Sequence, residues 1–377
     1  MAEKVLKVMI VEDATIYIKV LRDILGNMEN VEVIDTAVNG DIALRKIAYK
    51  QPDLVLLDIE MPILDGISTL VEIKKRYPDM GVIMVSGITQ KQTNITVDAL
   101  QKGAFDFVAK PTGKDLLKNV DELRNGLVPV IEHFIEKKIM AKSDNKPETK
   151  PPLKATTEAP IVFRSLPMSI LEKLQYVQNR IPNKINVVLI GSSTGGPAAL
   201  HQLIPLLPGN LNVPILLVQH MPPVFTKSLA EHLNKVSPLN IVEASDDEVV
   251  KANNLYIAPG GCHMTIKKVR NEVRVALVNS PPVNSCRPAV DVLYESATNV
   301  YTENILSVIL TGMGSDGLNG VIHLKSFASC YSITQSPDSC VVYGMPRMVD
   351  TAGLSDESVH LDDMARRITE IVKHGIR

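Results

Sequence analysis

Residues 186–197 read NVVLIGSSTGGP, a stretch that predicts a buried strand, a tight turn and the start of a helix. The apolar run 186–190 is typical of a strand buried on both faces, and the serines and glycines after it are typical of a turn. A helical pattern follows over residues 198–207. Strand, turn and helix in this order form one repeat of a parallel sheet with helices on its faces.

The C-terminal half of the chain continues this alternation. Buried strands are predicted at residues 214–219, 255–258, 305–310 and 330–334, and helices at 223–235 and 361–373. The segment 243–280 differs, because the alternation over Glu272–Val278 indicates an antiparallel addition to the sheet. We therefore predict an α/β domain over residues 184–377.

The N-terminal part repeats the pattern in a shorter unit. Strands are predicted at residues 6–11, 31–37, 54–58, 81–86 and 105–108, with helical patterns between them, for example at 16–27 and 40–50. Short strands that alternate with helices predict a doubly wound parallel sheet over residues 1–122. In such sheets the functional site lies beyond the carboxyl ends of the strands.

A segment of different composition separates the two units. Residues 137–160 are rich in Lys, Pro, Thr and Glu and lack an apolar pattern, which is typical of a solvated linker. A weak helical pattern follows at 169–179. Residues 123–183 are therefore predicted to be a helical extension and a flexible linker.

Composition excludes several classes of function. A formal net charge of −2 gives no support to a nucleic-acid-binding surface, and 4% aromatic residues without Trp do not favour base stacking. The apolar runs, of about five residues, are far shorter than the roughly 18 that a membrane span needs. We find no signal-peptide pattern at the N-terminus and no CxxC pair among the cysteines. We therefore expect a cytoplasmic protein with reduced thiols.

Polar side chains stand at the predicted strand ends of the first unit. They are Glu12 and Asp13 after the first strand, Asp58 at the end of the third, Ser86 at the end of the fourth and Lys110 after the fifth. Converging carboxylates repel one another, so a hard cation such as Mg²⁺ is expected among them. Carboxylate, hydroxyl, lysine and divalent ion together suit a phosphoryl group.

The strand ends of the second unit carry a different chemistry. Ser192 and Ser193 both offer a hydroxyl at the start of a helix, where backbone N–H groups can stabilise an oxyanion. A serine nucleophile needs a base and a carboxylate that orients the base. His220 is the first candidate base and His263 the second. Asp316 is the candidate carboxylate, unless it only caps the helix that follows it.

The first unit resembles the receiver domain of two-component response regulators. The matching stretches are VMIVEDA (8–14), LVLLDIEMPILDG (54–66), VIMVSG (82–87) and FVAKP (107–111). The resemblance implies that Asp58 is the phosphoacceptor and that Glu12 and Asp13 join it in holding Mg²⁺, although many receivers have Asp-Asp where this chain has Glu-Asp. The residues that sense the phosphoryl group are then Ser86, Phe107 and Lys110.

The second unit resembles the catalytic domain of the chemotaxis protein-glutamate methylesterase/protein-glutamine glutaminase family. The shared motifs are GSSTGGP (191–197), VQHMP (218–222), APGGCHM (258–264), CRPAVDVL (286–293) and TGMGSDG (311–317). The family pattern places the nucleophile at Ser193, the base at His220, the orienting acid at Asp316, and the backbone oxyanion donors at Thr194 and Met313. Ser192 often corresponds to Ala in the family, and its extra hydroxyl could compete for the base.

The combined resemblance implies an enzyme with a flavodoxin-like receiver and a Rossmann-like methylesterase domain. It would demethylate glutamate methyl esters on chemoreceptors, deamidate receptor glutamines, and take its phosphoryl group from a chemotaxis histidine kinase. The unphosphorylated receiver would shield the catalytic face, and phosphorylation would relieve the shielding. Mg²⁺ is expected for phosphorylation and no cofactor for ester hydrolysis.

Two other classes of function are weighed against this one. In a non-catalytic response regulator the second domain would bind a receptor or another protein, and a Ser-His-Asp set would then have no purpose. A DNA-binding output domain is disfavoured because the C-terminal part shows no recognition-helix module or basic cluster. We therefore expect neither nucleic acid as a partner nor insertion into a membrane.

Overall fold

The computed structural model describes residues 5–113, 115–143, 168–178, 180–182 and 184–376. The chain divides into two compact units at the boundary between Ser143 and Asp144. Among the described helices, none combines the length and the apolarity that a membrane crossing requires.

The first unit contains a five-stranded sheet in which every pairing is parallel. Its strands, in the spatial order β2-β1-β3-β4-β5, are β1 (Leu6–Val11), β2 (Val31–Ala37), β3 (Leu54–Asp58), β4 (Gly81–Ser86) and β5 (Asp106–Ala109). Its helices are α1 (Thr15–Gly26), α2 (Gly40–Lys50), α3 (Gly66–Arg76), α4 (Gln90–Gln101) and α5 (Leu116–Ser143). The strand order reverses between β1 and β3, and the ends of these two strands therefore form the expected position of a site.

Helix α5 corrects the predicted start of the linker. The helix continues to Ser143, so residues 137–143 are helical, and the rest of the predicted linker up to residue 160 lies outside the described residues. The prediction was wrong here because lysines, which dominate the segment, are compatible with an exposed helix. Phe134 anchors α5 to the sheet, since its ring meets Phe105 edge to face with the centroids 5.2 Å apart.

The second unit contains a seven-stranded parallel sheet and an antiparallel hairpin. The sheet strands, in the spatial order β14-β13-β12-β6-β7-β9-β8, are β6 (Val187–Ser192), β7 (Ile215–Gln219), β8 (Asn240–Glu243), β9 (Asn254–Ile257), β12 (Ile305–Ile309), β13 (Cys330–Gln335) and β14 (Glu357–Val359). The hairpin is formed by β10 (His263–Val269) and β11 (Glu272–Val278). The helices are α6 (Met168–Leu174), α7 (Gly196–Leu203), α8 (Phe225–Val236), α9 (Val290–Ala297), α10 (Leu318–Phe327), α11 (Met345–Thr351) and α12 (Leu361–His374).

All ten predicted strands are present with bounds that differ by two residues at most, and the antiparallel addition is confirmed as β10–β11. The prediction missed β8 and β14. Both are short strands at the edges of the sheet. There a strand forms by pairing with its one neighbour even when its own sequence has only a weak strand pattern, so the local sequence does not reveal it.

The topology of the second sheet brings three loops together. Strand β6 lies between β12 and β7 and runs parallel to both, so the carboxyl ends of the three strands lie side by side. Helix α9 is tied beneath this edge by the buried Tyr294, whose hydroxyl oxygen lies 3.0 Å from the carbonyl oxygen of Leu189 and 3.1 Å from that of Val308. The loop after each of the three strands carries one of the residues singled out by the sequence.

Candidate active site and phosphoacceptor pocket

A sharp turn follows β6 and leads directly into α7. Gly195 is the N-cap of α7 and has a φ of 77°, in the left-handed region that favours glycine. A Cβ atom at Gly195 would also lie 2.4 Å from the Cβ of Val341. The turn therefore depends on glycine here, and it presents the preceding residues at the start of a helix.

The two adjacent serines of this turn have different surroundings. Ser192 is fully buried, and its hydroxyl donates to Oε1 of Gln219 at 2.7 Å. The Nε2 of Gln219 donates in turn to the carbonyl oxygen of Ser193 at 2.9 Å. Ser193 is half-buried, and its hydroxyl makes no hydrogen bond within the described part of the chain. The predicted competition of Ser192 for His220 is absent from this arrangement, since its proton goes to Gln219.

His220 follows β7, and its imidazole contacts the carboxylate of Asp316. The distance from Nε2 of His220 to Oδ2 of Asp316 is 2.7 Å. An ionised carboxylate can only accept, so Nε2 carries the proton, and Nδ1 is the ring atom left to accept one. The Sγ atom of Cys286 lies 3.4 Å from this Nδ1.

Asp316 binds the N-terminus of a helix from another part of the unit. Its carboxylate accepts hydrogen bonds from the backbone N–H groups of Val290, at 2.6 Å, and Asp291, at 3.1 Å, which begin α9. The alternative that Asp316 caps its own following helix is wrong, because α10 has Gly317 at its N-cap and no side-chain cap. The N–H group of Gly320, in the first turn of α10, bonds instead to Asp291 at 2.7 Å.

The charges of this cluster depend on one another. Burial alone would lower the pKa of His220, but its hydrogen bond to the carboxylate of Asp316 opposes burial, and the pKa lies above its ordinary value. Burial would raise the pKa of Asp316, but His220 and the helix N–H groups lower it overall. Burial and the nearby charge of Asp316 raise the pKa of Asp291 to about 6.

The loop after β12 approaches the serine turn closely. The N–H of Ser193 donates to the carbonyl oxygen of Thr311 at 3.0 Å, and a Cβ atom at Gly312 would lie 2.8 Å from the Cβ of Ser193. Within the described residues, the N–H groups of Thr194 and Met313 have no hydrogen-bond partner. Backbone donors without partners beside a serine hydroxyl are the feature that an oxyanion site requires.

His263, the second candidate base, lies at the start of β10 and is fully buried. Its Nδ1 accepts the N–H of Ala289 at 3.2 Å, and its Nε2 donates to the carbonyl oxygen of Pro281 at 3.1 Å. Both ring nitrogens are therefore occupied by backbone groups, and this histidine supports the loop before α9.

The first unit brings its predicted pocket residues together. Carboxylate oxygens of Glu12, Asp13 and Asp58 lie within 4.8 Å of one another. The Nζ atom of Lys110 is 2.7 Å from Oδ1 of Asp58 and 2.8 Å from Oε2 of Glu12. Nζ also lies 4.7 Å from the ring centroid of Tyr17, in the geometry of a cation–π contact.

This pocket fits a hard cation on the observed side chains. Burial raises the pKa of both Glu12 and Asp58, although Lys110 opposes the shift in each case. Among the described residues, none donates a hydrogen bond to the buried Oε2 of Glu12, although Nζ of Lys110 forms an ion pair with it at 2.8 Å. Oxygen donors that carry excess negative charge are the ligand set that Mg²⁺ prefers.

The remaining predicted receiver residues lie on the neighbouring strands. Ser86 is fully buried at the end of β4, where its Oγ lies 2.7 Å from Oγ1 of Thr96 and 3.0 Å from the carbonyl oxygen of Gly87. Phe107, on β5, is half-buried against the core of the sheet. In this structure the hydroxyl of Ser86 therefore contacts Thr96 within α4 and Gly87 in the segment that leads into it.

Comparison with known proteins identifies both units. Residues 8–121 match the family model described as response regulator receiver domain, and residues 188–368 match that described as CheB methylesterase. A protein-glutamate methylesterase/protein-glutamine glutaminase of Desulfotalea psychrophila is 40% identical over 98% of this chain and 99% of its own length. The chain belongs to this methylesterase family.

A second curated relative agrees with this result, and a crystal structure is also similar to part of the chain. The Bacillus subtilis protein of the same name is 38% identical over 98% of this chain and 99% of its own length. The crystal structure of the Thermotoga maritima CheB methylesterase catalytic domain is 42% identical, covers 50% of this chain and 100% of that one, and has a TM-score of 0.49. The predicted family, the α/β fold class and the enzyme class are confirmed.

Several residues of the methylesterase site have contacts that sequence reasoning did not foresee. They are Gln219, Asn284, Cys286 and Asp291. Three of the four stand inside motifs that carry the family resemblance, VQHMP and CRPAVDVL. Their position in those motifs was visible, but their partners lie on other loops, and no local pattern names them.

Proposed function

We propose that the second unit hydrolyses glutamate methyl esters of chemoreceptors with Ser193 as nucleophile, His220 as base and Asp316 as the acid that orients the base. The observation that carries this proposal is the 2.7 Å contact between His220 and Asp316 at the edge of the sheet where the serine turn lies. Nucleophile, base and orienting carboxylate at one site are the requirements of acyl transfer by a serine hydrolase.

The proposed reaction begins when Oγ of Ser193 attacks the γ-carbonyl carbon of the ester. The proton of the hydroxyl passes to Nδ1 of His220, because Nε2 is bonded to Asp316. The imidazolium then gives this proton to the departing methoxide, and methanol leaves. Water hydrolyses the acyl-enzyme by the same route, and deamidation of a receptor glutamine differs only in that ammonia leaves.

The charge that develops on the carbonyl oxygen is stabilised by backbone groups. The N–H groups of Thr194 and Met313 support this role, since neither has a partner within the described residues. Asp316 stabilises the imidazolium, and the N-terminus of α9 stabilises Asp316 as an anion. The acid therefore stays ionised throughout the cycle.

The receiver is the proposed regulatory unit. Receiver domains are phosphorylated with the help of Mg²⁺, and here Glu12, Asp13 and Asp58 would hold the ion, which would neutralise the incoming phosphoryl oxygens. Asp58 is the proposed acceptor from a chemotaxis histidine kinase. Lys110, already 2.7 Å from Asp58, would then pair with the phosphoryl group, and Ser86 and Phe107 would respond to it.

The two serines allow a sharp test of the proposal. Methanol release from methyl-labelled receptor membranes is measured for the full-length protein and for Ser193→Ala and Ser192→Ala, with and without a small-molecule phosphodonor. We expect Ser193→Ala to lose activity by about 10³-fold or more. Ser192→Ala removes only the bond to Gln219, so it should cost about 1 kcal/mol of stability and keep most of the activity. Equal losses in the two variants would refute the assignment of the nucleophile.

A further inference from the structure

The loop between β11 and α9 contains a tight turn, Val283–Cys286, that reaches into the candidate active site. Val283 and Cys286 pair through two backbone hydrogen bonds, of 3.1 and 2.9 Å. The two central residues, Asn284 and Ser285, have φ values of 52° and 62°, as in a type I′ hairpin turn. Neither is glycine, so the turn keeps a conformation that L-residues adopt at some cost, a situation that is concentrated at functional sites.

Two side chains of this turn, those of Asn284 and Cys286, contact the proposed catalytic residues. The Nδ2 of Asn284 donates to Oδ1 of Asp316 at 2.9 Å and lies 2.9 Å from Oδ2 of Asp291. The Sγ of Cys286 lies 3.4 Å from Nδ1 of His220. The turn therefore holds the acid with one side chain and the base with another.

Cys286 is the first member of a thiol–imidazole–carboxylate chain. Its Sγ meets Nδ1 of His220, while Nε2 of the same ring meets Asp316. In the neutral ring Nε2 carries the proton, so Nδ1 is an acceptor and the thiol is the donor in this contact. A thiol, an imidazole and a carboxylate in this order are the arrangement that activates a cysteine nucleophile.

The same ring atom is required by the proposed reaction. Nδ1 has to accept the proton of Ser193, whose hydroxyl makes no hydrogen bond within the described residues. The thiol of Cys286 and the hydroxyl of Ser193 therefore share one base. A group that is added to Sγ would occupy the Nδ1 side of the ring.

We propose that Cys286 is a modification site for soft electrophiles, activated by His220 and Asp316, and that its modification switches the esterase off. This inference rests on the proposed function for its inhibitory part only. In the alkylation of Cys286 by iodoacetamide, Sγ forms a bond to the methylene carbon, iodide leaves, and the thiol proton passes to Nδ1. The capped sulfur can no longer donate, and its new group separates Nδ1 from Ser193.

The other cysteines of the chain serve as internal controls. None of the four described cysteines forms a disulfide, and Cys330 is buried, which raises its pKa to about 12. Cys262 and Cys340 are half-buried like Cys286. The Sγ atom of Cys262 lies 3.7 Å from the carbonyl oxygen of Pro259, and that of Cys340 lies 3.6 Å from the carbonyl oxygen of Gln335. The three side chains are therefore exposed to a similar degree, and Cys286 is the one whose contact with the imidazole of His220 is to be tested.

The test uses the full-length protein treated with iodoacetamide. Peptide mass spectrometry measures the rate of alkylation at each cysteine, and methanol release is measured on the same samples. We expect Cys286 to react at least tenfold faster than Cys340, and activity to disappear at the rate at which Cys286 is modified. His220→Ala should slow the alkylation of Cys286 to the rate of Cys340, although it leaves more room around the sulfur.

Cys286→Ser is the conservative variant, since its hydroxyl can still donate to Nδ1 but is not alkylated. Its own methanol release should be unaffected by iodoacetamide. The proposal is overturned if Cys286 reacts no faster than Cys340, if its alkylation leaves activity intact, or if His220→Ala does not slow it. Ser193→Ala separates this proposal from the proposed function. If that variant still releases methanol and its Cys286 is still alkylated fast, the assignment of Ser193 as nucleophile is refuted, while the assignment of Cys286 as an activated thiol stands.

Discussion

Replacement of Asp316 by asparagine tests the central electrostatic feature of the site, because it keeps the shape of the side chain and removes its charge. Five donors converge on the two carboxylate oxygens. They are Nε2 of His220 and N of Val290 on Oδ2, and Nδ2 of Asn284, N of Asp291 and N of Gly317 on Oδ1. An amide has one acceptor oxygen, so one of these two groups of donors loses its acceptor.

The cost follows from the orientation that the amide adopts. The orientation that loses fewest bonds places the amide nitrogen at the position of Oδ2, where it leaves the N–H of Val290 without an acceptor. A buried donor without a partner costs about 1–3 kcal/mol of stability. The amide also donates to Nε2 of His220, which moves the ring proton to Nδ1 and removes the base. The wrong tautomer should lower kcat about 10³- to 10⁴-fold, or about 4–5 kcal/mol.

Asp291→Asn is the matched control. Asp291 is as buried as Asp316, with 2% of its surface exposed, and accepts bonds from Gly317 and Gly320, but among the described residues no hydrogen bond or ion pair joins it to His220. We expect a comparable loss of thermal stability, measured by calorimetry, but at most a tenfold loss of methanol release. Equal losses of activity in the two variants would mean that Asp316 acts only through packing, and the tautomer argument would fail.

Three further predictions concern the nucleophile, the base and the receiver. Gly312→Ala places a methyl group 2.8 Å from the Cβ of Ser193 and should lower kcat about 100-fold. The control is Gly314→Ala, whose methyl group would meet no atom within 4 Å; because Gly314 has a φ of 79°, this variant should cost about 1 kcal/mol of stability and leave kcat largely unchanged. Similar kcat values for both variants would contradict the inferred close approach of Gly312 to Ser193. The raised pKa of His220 predicts that kcat/KM rises with pH through a midpoint above 6.5, because only the neutral ring accepts a proton, and a kinetic midpoint below 6.5 would refute this. The contribution of the charged ring to the stability of the fold is complete below pH 6.5 and is lost as pH rises through the raised pKa. Burial raises the pKa of Asp58, so the ionised form opposes folding at neutral pH. Asp58→Asn should therefore raise the midpoint of thermal unfolding of the metal-free receiver, and it should abolish the response of methanol release to a phosphodonor.

Most of the fold follows from local sequence patterns. The strands of both sheets are runs of apolar residues bounded by turn residues, and this pattern is readable because a strand in a parallel sheet is buried on both faces. The linker was predicted to begin at residue 137, inside α5, because composition alone does not distinguish an exposed helix from a linker when Lys is abundant.

The sequence by itself determined the α/β class, the strands, the family and the polar residues at the strand ends, since each of these is expressed within a few consecutive residues. It left open which of two adjacent serines is exposed and which ring nitrogen of His220 is available. Those answers come from Gln219 at the end of β7 and from Asp316 and Cys286, which lie on two other loops, 96 and 66 residues from His220. Only the parallel order of β12, β6 and β7 brings these loops to one edge, and hydrogen bonds across that edge then decide where each proton resides.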